Sequence, residues 1–71
     1  MILIIARDHD RAVACATVHK VTEKWKYVRE AKDLCGYANT THVWVVGILD
    51  ERGHDLWVRA KGRFKNVERK A

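Results

Sequence analysis

Two uninterrupted apolar runs constrain the fold of this chain more than any other feature. Residues 2–6 and 43–46 are rich in Ile and Val and contain no alternating polar positions. A strand that is apolar on both sides is typical of the interior of a parallel sheet whose two faces are covered by helices. The sequence therefore predicts an α/β fold in which these two segments are inner strands, the second continuing towards Leu49.

The segments between these strands predict helices and an edge strand. Asp8 or Asp10 is suited to cap the start of a helix that runs to about residue 20. Residues 24–28 alternate between apolar and basic side chains, which is typical of an edge strand. Residues 30–35 predict one or two helical turns, ended by Gly36 in the left-handed conformation.

The segment after Asp50 has two interpretations. In the first, residues 51–61 form a helix that Asp50 caps and Gly62 ends, and residues 63–67 form a short basic edge strand. In the second, a turn at residues 50–53 makes a C-terminal β-hairpin of residues 43–60, and the fold class becomes α+β. The helix is favoured because cations in its last turn would interact well with the helix dipole.

The favoured interpretation gives alternating strands and helices, β-α-β-α-β-α-β. Right-handed crossovers place the first strand in the middle of a mostly parallel sheet with the strand order 2-1-3-4. The chain has 71 residues, which leaves room for a single small α/β domain over residues 1–71 with no linker. The predicted fold class is therefore a miniature three-layer sandwich.

Five short motifs follow one another along the predicted elements. They are Ala6-Arg7, Trp25-Lys26-Tyr27-Val28, Leu34-Cys35-Gly36, Val45-Val46-Gly47 and Asp50-Glu51-Arg52. With these motifs, which together span most of its length, the chain resembles the small Rossmann-like proteins of unassigned function from bacteriophages, especially phages of actinobacteria. Cys35 departs from that pattern, which often has arginine there. The resemblance implies a Rossmann-like sandwich and a phage origin, and it transfers no catalytic residue.

Several classes of function are disfavoured by the composition. The longest apolar run covers residues 1–6 and is far shorter than the roughly 20 residues of a membrane span. No basic stretch precedes it, so it does not resemble a secretory signal, and we expect a cytoplasmic protein without membrane contact. Cys15 and Cys35 form no CxxC pair and are expected to be buried, as are Trp44 and Trp57.

The turn after the first strand argues against nucleotide cofactors. Residues 6–11 contain no glycine that would let backbone N–H groups approach a phosphate, and they carry two aspartates. We therefore expect no cofactor and no enzyme. A metal-dependent enzyme is a third possibility, because carboxylates and histidines gather at the carboxyl edge of the predicted sheet, although capping of helix starts is the stronger explanation of the carboxylates. These residues are Asp8, His9, Asp10, Asp50, Glu51 and His54.

The net charge of +5 is placed unevenly along the chain. Residues 1–51 hold seven basic and seven acidic residues, whereas residues 52–71 hold seven basic and two acidic residues. Such asymmetry indicates a directed surface for nucleic acid or for an acidic protein. Candidate contact residues combine the aromatic edge strand with the basic C-terminal segment: Trp25, Tyr27, Lys24, Lys26, Arg59, Arg63, Lys65, Arg69 and Lys70.

The function expected from these features is non-enzymatic binding of a host macromolecule in the host cytoplasm. A host protein is the favoured partner. The alternative is non-specific binding of nucleic acid through the basic C-terminal segment, which would be strongly salt-dependent. We also expect a homodimer, because a small core and exposed edge strands favour association.

Overall fold

Strand β1 (Ile2–Ile5) lies inside the sheet, as its apolar character on both faces requires. The computed structural model describes residues 1–70 and contains one four-stranded sheet in the order β2-β1-β3-β4. The other strands are β2 (Trp25–Tyr27), β3 (His42–Val46) and β4 (Asn66–Lys70), and all pairings are parallel. The predicted α/β class and strand order are confirmed. The β-hairpin alternative is wrong, because β3 pairs with β1 and β4.

Helices cover both faces of this sheet and make it the middle layer of a sandwich. Helix α1 (His9–Val18) packs Ala12, Cys15 and Ala16 on the face that carries Ile2 and Ile4. Helix α2 (Glu51–Arg63) and a 3₁₀ helix (Ala31–Leu34) cover the face that carries Leu3 and Ile5. Neither α-helix within residues 1–70 has the length and apolar character that crossing a bilayer requires.

The starts of both α-helices are capped by aspartate. The Asp8 carboxylate accepts the Arg11 backbone N–H at 2.9 Å, and the Asp50 carboxylate accepts the Gly53 backbone N–H at 2.8 Å. Each bond satisfies an N–H group that has no partner inside its helix, which stabilises a helix start by about 1 kcal/mol. Asp8 rather than Asp10 is the cap of α1, and the predicted role of Asp50 is confirmed.

The end of α2 differs from the prediction. The helix continues through Gly62 to Arg63, and the Phe64 N–H donates to the Ala60 carbonyl at 2.8 Å. Phe64 is only 5% exposed, so its burial in the core, rather than a glycine, determines where the chain leaves the helix. Strand β4 consequently begins at Asn66 and not at residue 63, with Val67 opposite Val43.

Two glycines with positive φ follow the ends of the 3₁₀ helix and of strand β3. Gly36 has φ +87° just after the 3₁₀ helix, as the sequence predicts. Gly47 has φ +65°, so β3 ends at Val46 and does not continue to Leu49. Both glycines adopt the left-handed backbone conformation, which residues with a Cβ atom avoid.

Three residues predicted to be buried are more exposed than expected. Trp44 and Trp57 are half-buried because each packs near the open edge of the sheet at β4. Cys35 is exposed, since Leu34 is the residue of that turn that enters the core. Cys15 is buried as predicted, and its burial raises the pKa of the thiol.

Candidate binding surface

The predicted contact residues lie in three places: at the two opposite edges of the sheet and, for Arg59 and Arg63, on helix α2. Trp25 and Tyr27 lie on β2, whereas Arg69 and Lys70 lie on β4. Strands β1 and β3 separate these edges by three interstrand steps, or roughly 14 Å of backbone. The structure therefore presents two separate edges rather than one continuous patch.

The aromatic edge is occupied mainly by internal packing. The Trp25 ring stacks on His9 at 6.2 Å between centroids, and the Tyr27 ring meets His9 edge-on at 5.6 Å. Lys26 pairs with Asp33 at 3.4 Å, while Lys24 is exposed at the amino end of the strand. These contacts fix the β2 side chains against the body of the protein.

Two basic side chains of β4 are held over tryptophan rings. Arg69 lies 5.7 Å from the Trp57 ring centre and donates to the Gly47 carbonyl at 2.7 Å. Lys70 lies 4.8 Å from the Trp44 ring centre and also pairs with Glu68 at 2.9 Å. Cation–π contacts of this kind contribute about 0.5–1 kcal/mol at exposed positions. The β4 edge is thus basic, and its positive charge is partly compensated by partners within the chain. Lys65, which precedes β4, is exposed.

A groove of about 480 Å³ lies between the 3₁₀ helix and the second half of α2. Its floor is apolar and its rim is basic, and Val58 on the floor is 54% exposed. The lining residues are Ala31, Lys32, Leu34, Cys35, Val58, Arg59, Gly62 and Arg63. We refer to this feature as the α2 groove.

Only Arg59 and Arg63 of the α2 groove were predicted from the sequence as contact residues. Their four-residue spacing places them on one face of α2, because the helix continues to Arg63. The sequence predicts a helix that ends at residue 61 and places Arg63 in the following strand, so it does not bring the two side chains together. The apolar floor was missed, because Ala31 and Leu34 come from a different element, the 3₁₀ helix, and meet Val58 only in the folded chain.

The three cations on the rim of the α2 groove remain available to an acidic partner. Arg59 pairs with Asp55 at 3.0 Å and Lys32 pairs with Glu30 at 3.0 Å, and all four side chains are more than half exposed. The Glu30 carboxylate raises the pKa of Lys32, which is therefore charged at neutral pH. Exposed pairs contribute little and can exchange partners. Arg63 has no carboxylate partner among residues 1–70.

The 3₁₀ helix that forms one wall of the α2 groove is fixed by Asp33. Its carboxylate accepts the backbone N–H groups of Arg29 at 3.0 Å and Glu30 at 3.2 Å. The Arg29 N–H is the main cause that lowers the pKa of Asp33, and the Glu30 N–H and Lys26 act in the same direction. The wall is thus ordered before any partner binds, which reduces the ordering cost of binding.

Two of the aspartates at the carboxyl ends of the strands, which suggested a metal site, cap helices instead. Asp8 and Asp50 cap helices, and within residues 1–70 no group of three or more His, Cys, Asp and Glu side chains is arranged to hold a metal ion. Instead, a pocket of about 460 Å³ at this edge is lined mainly by cations and aromatic rings. The lining residues are Arg7, Asp8, His9, Tyr27, Arg29 and Arg52.

Comparison of the chain with models of known protein families, with curated proteins and with solved structures found no match.

Proposed function

We propose that this chain is a small, non-enzymatic bacteriophage protein that binds an acidic segment of a host protein in the host cytoplasm. The observation that carries the proposal is the α2 groove, which combines an apolar floor with a rim of three cations. The resemblance of the five short motifs to small phage proteins supports the phage origin and, with it, a host partner.

The chemistry of the α2 groove fits a segment with both carboxylate and apolar side chains. Covering Val58, which is 54% exposed, would stabilise a complex by about 1 kcal/mol through apolar burial. Carboxylates opposite Lys32, Arg59 and Arg63 would accelerate association and set the orientation of the segment. The apolar floor thus contributes affinity and the basic rim contributes selectivity for an acidic partner.

Affinity capture from nuclease-treated actinobacterial lysate tests this proposal. We expect the wild-type protein to retain a host protein with an acidic segment, and the double variant Arg59→Glu/Arg63→Glu to lose it. The matched control Lys20→Glu/Lys24→Glu reverses the same number of exposed charges outside the α2 groove and should retain the same protein. Retention by the groove variant, loss by the control, or the absence of any retained protein contradicts the proposal.

Non-specific binding of nucleic acid is the second candidate, and the β4 edge is the observation that favours it. Lys61 and Arg69 lie over the Trp57 ring on one face of the sheet, and Lys70 lies over the Trp44 ring on the other face. Cations beside aromatic rings suit phosphate contact and base stacking. Binding of a single-stranded oligonucleotide that disappears between about 50 and 200 mM salt is expected for this candidate. Absence of binding at low salt removes it.

Association of two copies is a separate prediction. The outer edges of β2 and β4 are both without a strand partner in the sheet of residues 1–70. Pairing along such an edge is opposed by charged side chains, and β4 carries three of them in five residues. Sedimentation equilibrium over a hundredfold range of concentration tests the homodimer, which predicts a mass that rises towards twice 8.2 kDa.

A further inference from the structure

A pocket rich in arginine lies where two neighbouring parallel strands end. Arg7 follows β1 and Arg29 follows β2, and the Val28 N–H donates to the Ile4 carbonyl at 2.9 Å to keep these strand ends side by side. Arg52 reaches the same place from the first turn of α2. Ligands of open parallel sheets gather at this edge, outside the carboxyl ends of the strands.

Arg52 is held in a fixed position that leaves part of its donor capacity free. Its guanidinium donates to the Arg29 carbonyl at 2.7 Å, to the Arg7 carbonyl at 3.2 Å and to the Tyr27 hydroxyl at 3.0 Å. An arginine has five N–H donors, so two remain for a ligand. The Tyr27 hydroxyl accepts in this contact, and its own proton has no acceptor among residues 1–70.

The charge of the pocket is strongly positive despite the presence of Asp8. That carboxylate accepts the Arg11 backbone N–H at 2.9 Å and is also bonded to the Arg11 guanidinium, so its charge is already neutralised. The Arg7 and Arg29 guanidinium groups make no hydrogen bond or ion pair with residues 1–70. Three arginines therefore border the same cavity as Asp8, and two of them, Arg7 and Arg29, are without a direct ion-pair partner among residues 1–70.

We propose that this pocket binds the phosphoryl group of a small phosphomonoester. Guanidinium groups match phosphate oxygens with paired N–H donors, and a dianion balances the two unpaired arginines. In this pocket, arginine side chains would donate the hydrogen bonds to phosphate that the backbone N–H groups of a glycine-rich turn donate in dinucleotide-binding folds. The site is separate from the α2 groove, so the proposal does not depend on the proposed function.

Titration followed by ¹H–¹⁵N NMR, with inorganic phosphate and adenosine 5′-monophosphate as probes, tests the site. We expect amide shifts confined to the residues around Arg7, Tyr27 and Arg29, and affinity lowered about tenfold or more by Arg7→Gln or Arg29→Gln. Lys24→Gln removes the same charge at the opposite end of β2 and should change the affinity less than about twofold. Thermal unfolding of each variant verifies that it folds, as we expect because neither replaced guanidinium makes a hydrogen bond or ion pair within residues 1–70.

The remaining arms of the titration identify the source of the phosphoryl group. Tighter binding of the nucleotide shows that the organic part is also bound, and equal binding shows recognition of the phosphoryl group alone. Both results support the proposal. Equal shifts with sodium chloride of matched ionic strength, equal loss in Lys24→Gln, tighter binding of a single-stranded oligonucleotide, or no binding at about 10 mM phosphate overturns it.

Discussion

Removal of the Asp33 carboxylate should loosen the wall of the α2 groove and destabilise the whole protein. The side chain of Asp33 is 16% exposed, and it accepts two backbone N–H groups and pairs with Lys26. Loss of such a cap costs about 1 kcal/mol, and an exposed ion pair adds about 0–1 kcal/mol. We therefore expect Asp33→Ala to lower the free energy of unfolding by about 1–2 kcal/mol.

Thermal and urea unfolding measure this loss directly. For a domain of this size each 1 kcal/mol shifts Tm by about 4–8 °C, so a fall of about 4–16 °C is expected. Asp33→Asn keeps an oxygen acceptor but loses the charge, and it should show about half of the effect. Lys26→Gln removes the ion pair alone and should show less than about 1 kcal/mol.

The pH dependence provides an independent check of the same contact. The folded protein holds the pKa of Asp33 below its ordinary value of 3.8. The carboxylate therefore contributes stability above that pH, and the contribution disappears as the pH falls through the folded pKa. The stabilities of wild type and Asp33→Ala should converge on acidification. A difference below about 0.3 kcal/mol at neutral pH, or one that persists unchanged at about pH 2, refutes the reasoning.

Three further predictions concern the core, the turns and the thiols. Leu3 is fully buried, so Leu3→Ala should cost about 2–5 kcal/mol and leave much of the protein unfolded by circular dichroism. Gly36→Ala should destabilise by about 1–2 kcal/mol because φ is +87°, whereas Gly62→Ala inside α2 should stabilise by about 0.4–1 kcal/mol, and equal effects in urea unfolding contradict this assignment. Cys35 should react with a thiol reagent in the native protein and Cys15 only after unfolding, and simultaneous reaction contradicts their assigned burial.

The strand order could be predicted because the apolar pattern distinguishes inner strands from edge strands. Residues 2–6 are apolar on both faces, whereas residues 24–28 alternate, and right-handed crossovers then leave one order. The start of α2 could also be predicted from the sequence, since capping by Asp50 is a local contact. The end of α2 could not be predicted, because it depends on the burial of Phe64 in a core formed by distant residues.

The two cavities were harder to predict from the sequence than the strands were. Arg7, Arg29 and Arg52 converge through hydrogen bonds between residues that are 23 and 45 positions apart. The sequence pattern showed the aspartates of this edge, but it did not show that Arg11 neutralises Asp8. The α2 groove likewise depends on the distance between two helices, which no local pattern specifies.

Site-specific photo-crosslinking in actinobacterial host cells tests the central claim most directly. A photoreactive amino acid replaces Val58, which is 54% exposed on the floor of the α2 groove, and the control replaces Val18, which is 73% exposed on α1. The proposed function predicts an adduct with one host protein, through an acidic segment, from position 58 only. Adducts with nucleic acid alone, equal yields at both positions, or no protein adduct at position 58 contradict it.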